Sequence, residues 1–235
     1  KLRMPQSSVT EKIMSFRQEL DEGKPVIYKI KEDVSLFANF FFKDPFDEEK
    51  DFVPYAWQDT AFQDANRRIC ICIARQRGKT TFAVLKAVHF AYFNSNATVL
   101  VVSKTFDQAK EVVETIHSML RAGSKISWDP LKPNDKESKG EVKILNKRKK
   151  GGVKTYSRII SVPATDAARG YHADLVIADE GAFWEDGSYI FKQVVVPTTS
   201  KTKGQILLLS TPNGAQGFFY ELFQFTCCNT FKAFL

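Results

Sequence analysis

Five stretches of this chain are dominated by apolar residues instead of alternating: RICICIA from Arg68, ATVLVVS from Ala97, YSRIISVPA from Tyr156, ADLVIADE from Ala173 and GQILLLSTP from Gly204. A strand with one wet face alternates apolar and polar residues. A strand that is apolar throughout must be covered on both sides. Helical patterns supply the cover: one runs from Gly78 to about Phe93, and a second spans TFDQAKEVVETIHSMLRAG and ends at Gly123. Strands alternating with helices predict an α/β domain built on a mainly parallel sheet.

The remainder is less regular. Residues 7–22 carry Val9, Ile13, Phe16 and Leu20 on one helical face, with Ser7 or Ser8 as the cap. LFANFFF fits a buried helix or a strand equally well, and DPFDEEKDFVP reads as an exposed loop. A short helix is expected from Tyr55 to Ala65, and another over GFFYELFQF. Residues 124–152 are polar and basic, with a hairpin turn at Gly151–Gly152. The expected division is an N-terminal extension or lid over 1–54 and a core over 55–235.

Composition narrows the setting. The 235 residues are 43% hydrophobic, enough for a sizeable core. No apolar run reaches membrane-spanning length, and the first residues lack the apolar segment of a signal peptide. A net charge of +7 points to a polyanionic partner. Cys70 and Cys72 alternate with isoleucines and read as strand packing. Neither they nor Cys227 and Cys228 have zinc-site spacing. His89, His117 and His172 are scattered over separate elements, no metal-ligand spacing links them, and they read as core or surface residues.

The first strand runs into ARQRGKTT, residues 74–81. A phosphate-binding loop reads G-x-x-x-x-G-K-[ST] and sits between a strand and a helix. Here Gly78, Lys79 and Thr80 are in place, but Ile73 holds the first glycine position. Backbone amides from Arg77 to Thr81 would face a β-phosphate at the positive helix end. Gly78 would permit close approach, Lys79 would bridge the β- and γ-phosphates, and Thr80 would place its hydroxyl on Mg²⁺. The strand LVIADE ends in Asp179 and Glu180. Asp179 would orient Mg²⁺ through its water shell, and Glu180 would activate the attacking water. LLLSTPNG puts Ser210, Thr211 and Asn213 at another strand tip, where they would sense the γ-phosphate. The class expected is a P-loop NTPase with ATP and Mg²⁺ as cofactors.

Together these motifs resemble the ATPase domain of the large terminase subunits, the DNA-packaging motors of phages. That family's loop commonly lacks the first glycine and carries Arg-Gln ahead of G-K-T, as ARQRGKTT does. IADEGAFW resembles its acidic motif, LSTPNG its coupling motif and YAWQDTAFQ its adenine-recognition segment. The resemblance covers about residues 55–222 and implies an ASCE/RecA-like sheet. It gives Arg75 a γ-phosphate role, makes Trp57 and Gln58 adenine contacts, and adds Gln76, Arg77 and Thr81 to the ATP-binding loop. Ser210, Thr211, Pro212 and Asn213 become the coupling segment. Arg169, in ATDAARGYHADLVIADE, matches an arginine that acts in some members as a finger on a neighbour's ATP.

The family's ring on a capsid portal, its small terminase subunit, double-stranded DNA and the host cytoplasm are implied with it; a membrane is not. The family's C-terminal nuclease domain is not expected within these residues. The basic stretch Lys147, Arg148, Lys149, Lys150 and Lys154 is a candidate DNA contact. Two alternatives stand beside this reading: a superfamily-2-type helicase core and a non-hydrolysing nucleotide-binding module.

Overall fold

A computed structural model describes residues 6–44, 47–122, 140–146, 155–224 and 232–234. The chain forms two compact units, residues 1–65 with 118–129, and residues 66–117 with 130–235.

In the first unit, α1 (Gln6–Asp21) buries Val9, Ile13 and Phe16, while Leu20 is half-buried. Ser7 and Ser8 already lie in the first turn of α1. After α2 (Ile27–Glu32), the ambiguous LFANFFF is helical, within α3 (Val34–Phe41). Asp33 decides this locally: its side chain caps α3 by accepting from the Ser35 and Leu36 amides. The expected loop at DPFDEEKDFVP instead contains an antiparallel pair, β1 (Lys43–Asp44) and β2 (Asp47–Asp51). Cross-links missing from a local reading hold it, since Asp51 pairs with Lys43 at 3.2 Å and with Arg17 at 2.7 Å. The short helix α4 (Ala56–Phe62) follows.

The second unit holds a seven-stranded sheet. Its strands are β3 (Arg68–Cys72), β4 (Thr98–Ser103), β5 (Glu141–Leu145), β6 (Tyr156–Pro163), β7 (Leu175–Ala178), β8 (Gln205–Ser210) and β9 (Lys232–Phe234). Their order is β5-β6-β4-β7-β8-β3-β9. All neighbours pair in parallel except the edge strand β5, which runs antiparallel to β6. The five expected strands are all present. β5 and β9 add two that composition did not suggest: β5 lies in the polar stretch and alternates, with Val142 and Ile144 buried between less buried neighbours.

Both faces of the sheet are dry, as unbroken apolar strands require. On one side, Leu100, Val102, Val176, Ala178, Ile206 and Leu208 meet Trp184, Phe191, Val194 and Phe219. The intervening Val99, Val101, Ile159, Ile177 and Leu207 point the other way and are equally buried. Helix α5 (Lys79–Phe93) packs on β4, β6 and β7, and buries Phe82, Leu85 and Val88. Helix α6 (Phe106–Ala122) connects onward from β4. The crossover from β7 to β8 is a helical segment with a π-helical middle, Ile190–Val195. Its run of β-branched valines carries no helical signal, but a parallel connection needs such a crossover. Cys70 is buried, and burial pushes its thiol up to about 12, so it stays a protonated packing group.

Candidate active site

Strand β8 lies between β3 and β7. The loop after β3, the acid pair after β7 and the polar residues ending β8 therefore share one edge of the sheet, at the carboxyl ends of parallel strands. Hydrogen bonds tie these ends together. The Ile73 amide donates to the Ser210 carbonyl at 3.0 Å, and the Asp179 amide to the Val102 carbonyl at 2.8 Å.

The first of those bonds explains the missing glycine. Ile73 is 8% exposed and continues the pairing of β3 with β8, so its position is a strand position. The turn comes later. Gln76 has φ +59° and Gly78 φ +75°, and α5 starts at Lys79. A left-handed residue immediately before the helix suits glycine.

Lys79 is 8% exposed. A buried ammonium needs compensation. It has the Ile73 and Ala74 carbonyls, each at 3.4 Å, and Glu180 Oε1 at 3.6 Å. Glu180 is held firmly. Its Oε2 accepts from the Thr211 amide at 3.0 Å, the Thr211 hydroxyl at 2.9 Å and the Ser210 hydroxyl at 3.2 Å. Its backbone sits at φ +51°, a strained value for a residue with a side chain, and such strain collects at functional sites. Asp179 Oδ1 accepts from the Glu180 amide at 3.0 Å. Burial first, and then the neighbouring Glu180 charge, push the Asp179 carboxyl up to about 6.

The acidic and coupling segments are stitched together beyond these groups. The Ala182 amide donates to the Ser210 hydroxyl at 3.1 Å, and Asn213 Nδ2 to the Ala182 carbonyl at 3.0 Å. Trp184 Nε1 donates to the Asp179 carbonyl at 2.9 Å. A Cβ on Gly181 would lie 2.6 Å from Leu208 Cδ1, so glycine lets this turn sit against β8.

A cleft of about 480 Å³ opens over these strand ends. The loop lines it with Arg75, Gln76, Gly78, Lys79, Thr80 and Thr81; Asp179, Glu180, Phe183 and Thr211 line it from the other strand ends. Lys104 and Gln108 also line it, and motif reading did not single them out. Only their position after the β4 run, on the same sheet edge, was a signal. Arg77, Ser210, Pro212 and Asn213 belong to the same segments without lining the cleft. Thr80 and Asp179 give two hard oxygen donors on one cleft, a set that fits Mg²⁺ carrying water and phosphate oxygens in its remaining positions. Among the described residues no group of three or more His, Cys, Asp and Glu is placed to hold a metal by itself.

Three predicted groups are not among the residues that line the cleft. Arg169 is exposed, pairs with Asp166 at 2.9 Å, hydrogen-bonds the Tyr189 hydroxyl and stacks 5.6 Å from that ring's centre. Trp57 and Gln58 belong to the first unit. There the Gln58 side chain is buried and accepts from the Tyr55 amide at 2.8 Å, capping α4. Lys147, Arg148, Lys149, Lys150 and Lys154, with Cys227, Cys228 and the Gly151–Gly152 turn, lie outside the described residues. No helix among the described residues is long and apolar enough to cross a membrane.

Residues 70–226, about two thirds of the chain, match the family described as terminase large subunit, T4likevirus-type, N-terminal. The chain belongs to the terminase large-subunit family. A curated large terminase subunit from Thermus phage G20c is 25% identical over an alignment of 196 residues that covers 77% of this chain. The chain spans 38% of that relative's length. The solved ATPase domain of the Thermus phage P74-26 large terminase has a TM-score of 0.61 at 21% identity, covering 78% of this chain and 80% of that one. The HK97 bacteriophage large terminase gives 0.62 at 13% identity, covering 86% of this chain and 43% of that one. At such identities the structures speak to fold, and they bear out the mainly parallel sheet flanked by helices. Terminase membership agrees with the terminase resemblance, and a helicase core is no better supported.

Proposed function

We propose that this chain is the ATP-hydrolysing motor domain of a viral large terminase, translocating double-stranded DNA into a procapsid. The observation that carries the reading is the convergence of Lys79, Asp179, Glu180 and Thr211 on one cleft at adjacent strand ends. Family membership supports it.

In this reading the amides of residues 77–81 and Lys79 bind the phosphates, and Gly78 lets the backbone approach them. Thr80 and Asp179 hold Mg²⁺, which would neutralise charge on the phosphate oxygens. Glu180 is the general base for water. Its carboxylate is tied to Ser210, Thr211 and Lys79. A terminal phosphate that drew Lys79 away would loosen this tie and let Glu180 turn to water. Ser210 and Thr211 would feel the change, and Pro212 and Asn213 lie next in the chain, which is how hydrolysis would reach a DNA-gripping surface. Arg75, on the cleft, would stabilise the transferring phosphoryl group. Arg169, exposed and outside the lining, would serve a neighbouring copy. Trp57 and Gln58 would contact adenine, and residues 1–54 would form an extension to the motor. The partners are DNA, further copies in a ring on a portal, and the small terminase subunit, in the host cytoplasm.

The test is steady-state phosphate release together with nucleotide binding. Wild type should hydrolyse ATP. Lys79→Ala should lose turnover and tight binding. Glu180→Ala should bind ATP and turn over at least 10²-fold more slowly. A wild-type chain that binds ATP without hydrolysing it, assembled or not, would leave the scaffold reading in its place.

A further inference from the structure

We propose that Lys104 is a second cationic ligand for the terminal phosphate of the bound nucleoside triphosphate, and that it sets the preference for triphosphate over diphosphate. This rests on the nucleotide-binding reading of the cleft.

Lys104 follows β4 directly and lines the same cleft as Lys79 and Asp179. Strand order tells which part of a nucleotide it would meet. Across the sheet edge the sequence is β4, β7, β8, β3. The phosphate loop follows β3, and the acid pair follows β7. Phosphates running from the loop towards Asp179 have their terminal group on the β7 side, and β4 is the next strand beyond it. The bond from the Asp179 amide to the Val102 carbonyl holds the ends of β7 and β4 together, two residues before Lys104.

The charge of Lys104 is also uncommitted. Lys79 has Glu180 at 3.6 Å, whereas Lys104 is exposed and forms no ion pair among the described residues. Its ammonium rests 5.8 Å from the centre of the Phe183 ring, another cleft residue. A cation over an aromatic face at an exposed site is held weakly, so a phosphate oxygen would displace it readily. Phe183 follows Glu180 by three residues, and its amide donates to the Glu180 carbonyl at 2.9 Å. The ring thus holds the ammonium at the wall of the cleft that Phe183 lines.

The experiment is calorimetric titration of the whole chain with magnesium-bound ADP and with a non-hydrolysable ATP analogue, for wild type, Lys104→Gln and Lys104→Arg. One lost charged hydrogen bond corresponds to a change on the order of tenfold. Lys104→Gln should weaken the triphosphate analogue by about that factor and leave ADP unchanged, and Lys104→Arg should restore much of the difference. Equal loss for both nucleotides, or no loss for either, would overturn the assignment while leaving the cleft a nucleotide site. Nucleotide binding that ignores Lys79→Ala, or none in wild type, would overturn both readings.

Discussion

Replacing Asp179, the carboxylate proposed to hold the metal, with asparagine should make the protein more stable at neutral pH in the absence of nucleotide and metal. The Asp179 carboxyl titrates at about 6 in the folded chain, against an ordinary 3.8. A raised carboxylate value means that folding favours the proton. Stability from this group is therefore complete below about pH 4 and is lost as pH rises through about 6. At about 1.4 kcal/mol per unit, the loss at pH 8 reaches a ceiling of about 3 kcal/mol. Two effects lower that figure. Asp179 retains some exposure at the cleft, where water screens its charge. Asparagine also brings an amide whose hydrogens need acceptors, costing roughly 1 kcal/mol. Its Oδ1 can still accept from the Glu180 amide.

The expected gain is about 1–2 kcal/mol at pH 8 and nothing at pH 4. For a chain of this size that corresponds to roughly 2–8 °C in Tm at the higher pH. Scanning calorimetry of both proteins between pH 4 and 8, with chelator and without nucleotide, measures it. The same variant should lose any stabilisation by magnesium and ATP together. A difference in Tm that does not change with pH, or a less stable variant at pH 8, would refute the claim that burial of this carboxylate is paid for in stability.

Three further outcomes follow from the packing. Ile73→Gly, which restores the usual loop pattern, should destabilise the protein by about 2–3 kcal/mol in denaturant melts without raising ATPase activity, because Ile73 is buried and bonded to the end of β8 directly after β3. Thr211→Val removes the hydroxyl that donates to Glu180 at 2.9 Å; kcat should fall about tenfold with little change in KM, as measured by phosphate release. Gly204→Ala places a Cβ 2.5 Å from the Asp174 carbonyl oxygen, a backbone atom that cannot turn aside. It should lower stability by about 2–4 kcal/mol by thermal melting, whereas a tolerated alanine would contradict the tight entry into β8.

Much of this architecture is local enough to read from the chain. Unbroken apolar runs identify strands buried on both faces, because nothing but two-sided cover makes ILLL or LVIA affordable. Gly78 ahead of Lys79 marks a left-handed entry into a helix, because glycine tolerates that φ. The acid pair stands out because two carboxylates seldom end a strand as apolar as β7. Where local pattern failed, the cause lay in distant partners. The acidic segment after Lys43 is held as a strand by partners outside it, with Arg17 and Lys43 on Asp51 and the Phe52 amide on the Phe42 carbonyl, and β5 exists because β6 offers it an edge.

What the sequence determined by itself was the five inner strands, the helices beside them and the residue types suited to phosphate, metal and water, since these depend on side-chain type and on neighbours a few residues away. What only the tertiary structure decided was which of them meet. Strand order places β8 between the loop strand and the acid strand, so Thr211 reaches Glu180 from 31 residues away in sequence. It also brings Lys104 to the cleft and leaves Arg169 beside Tyr189, outside it. The order of strands in a sheet is set by how their covering helices pack, and that choice is made by the whole domain at once.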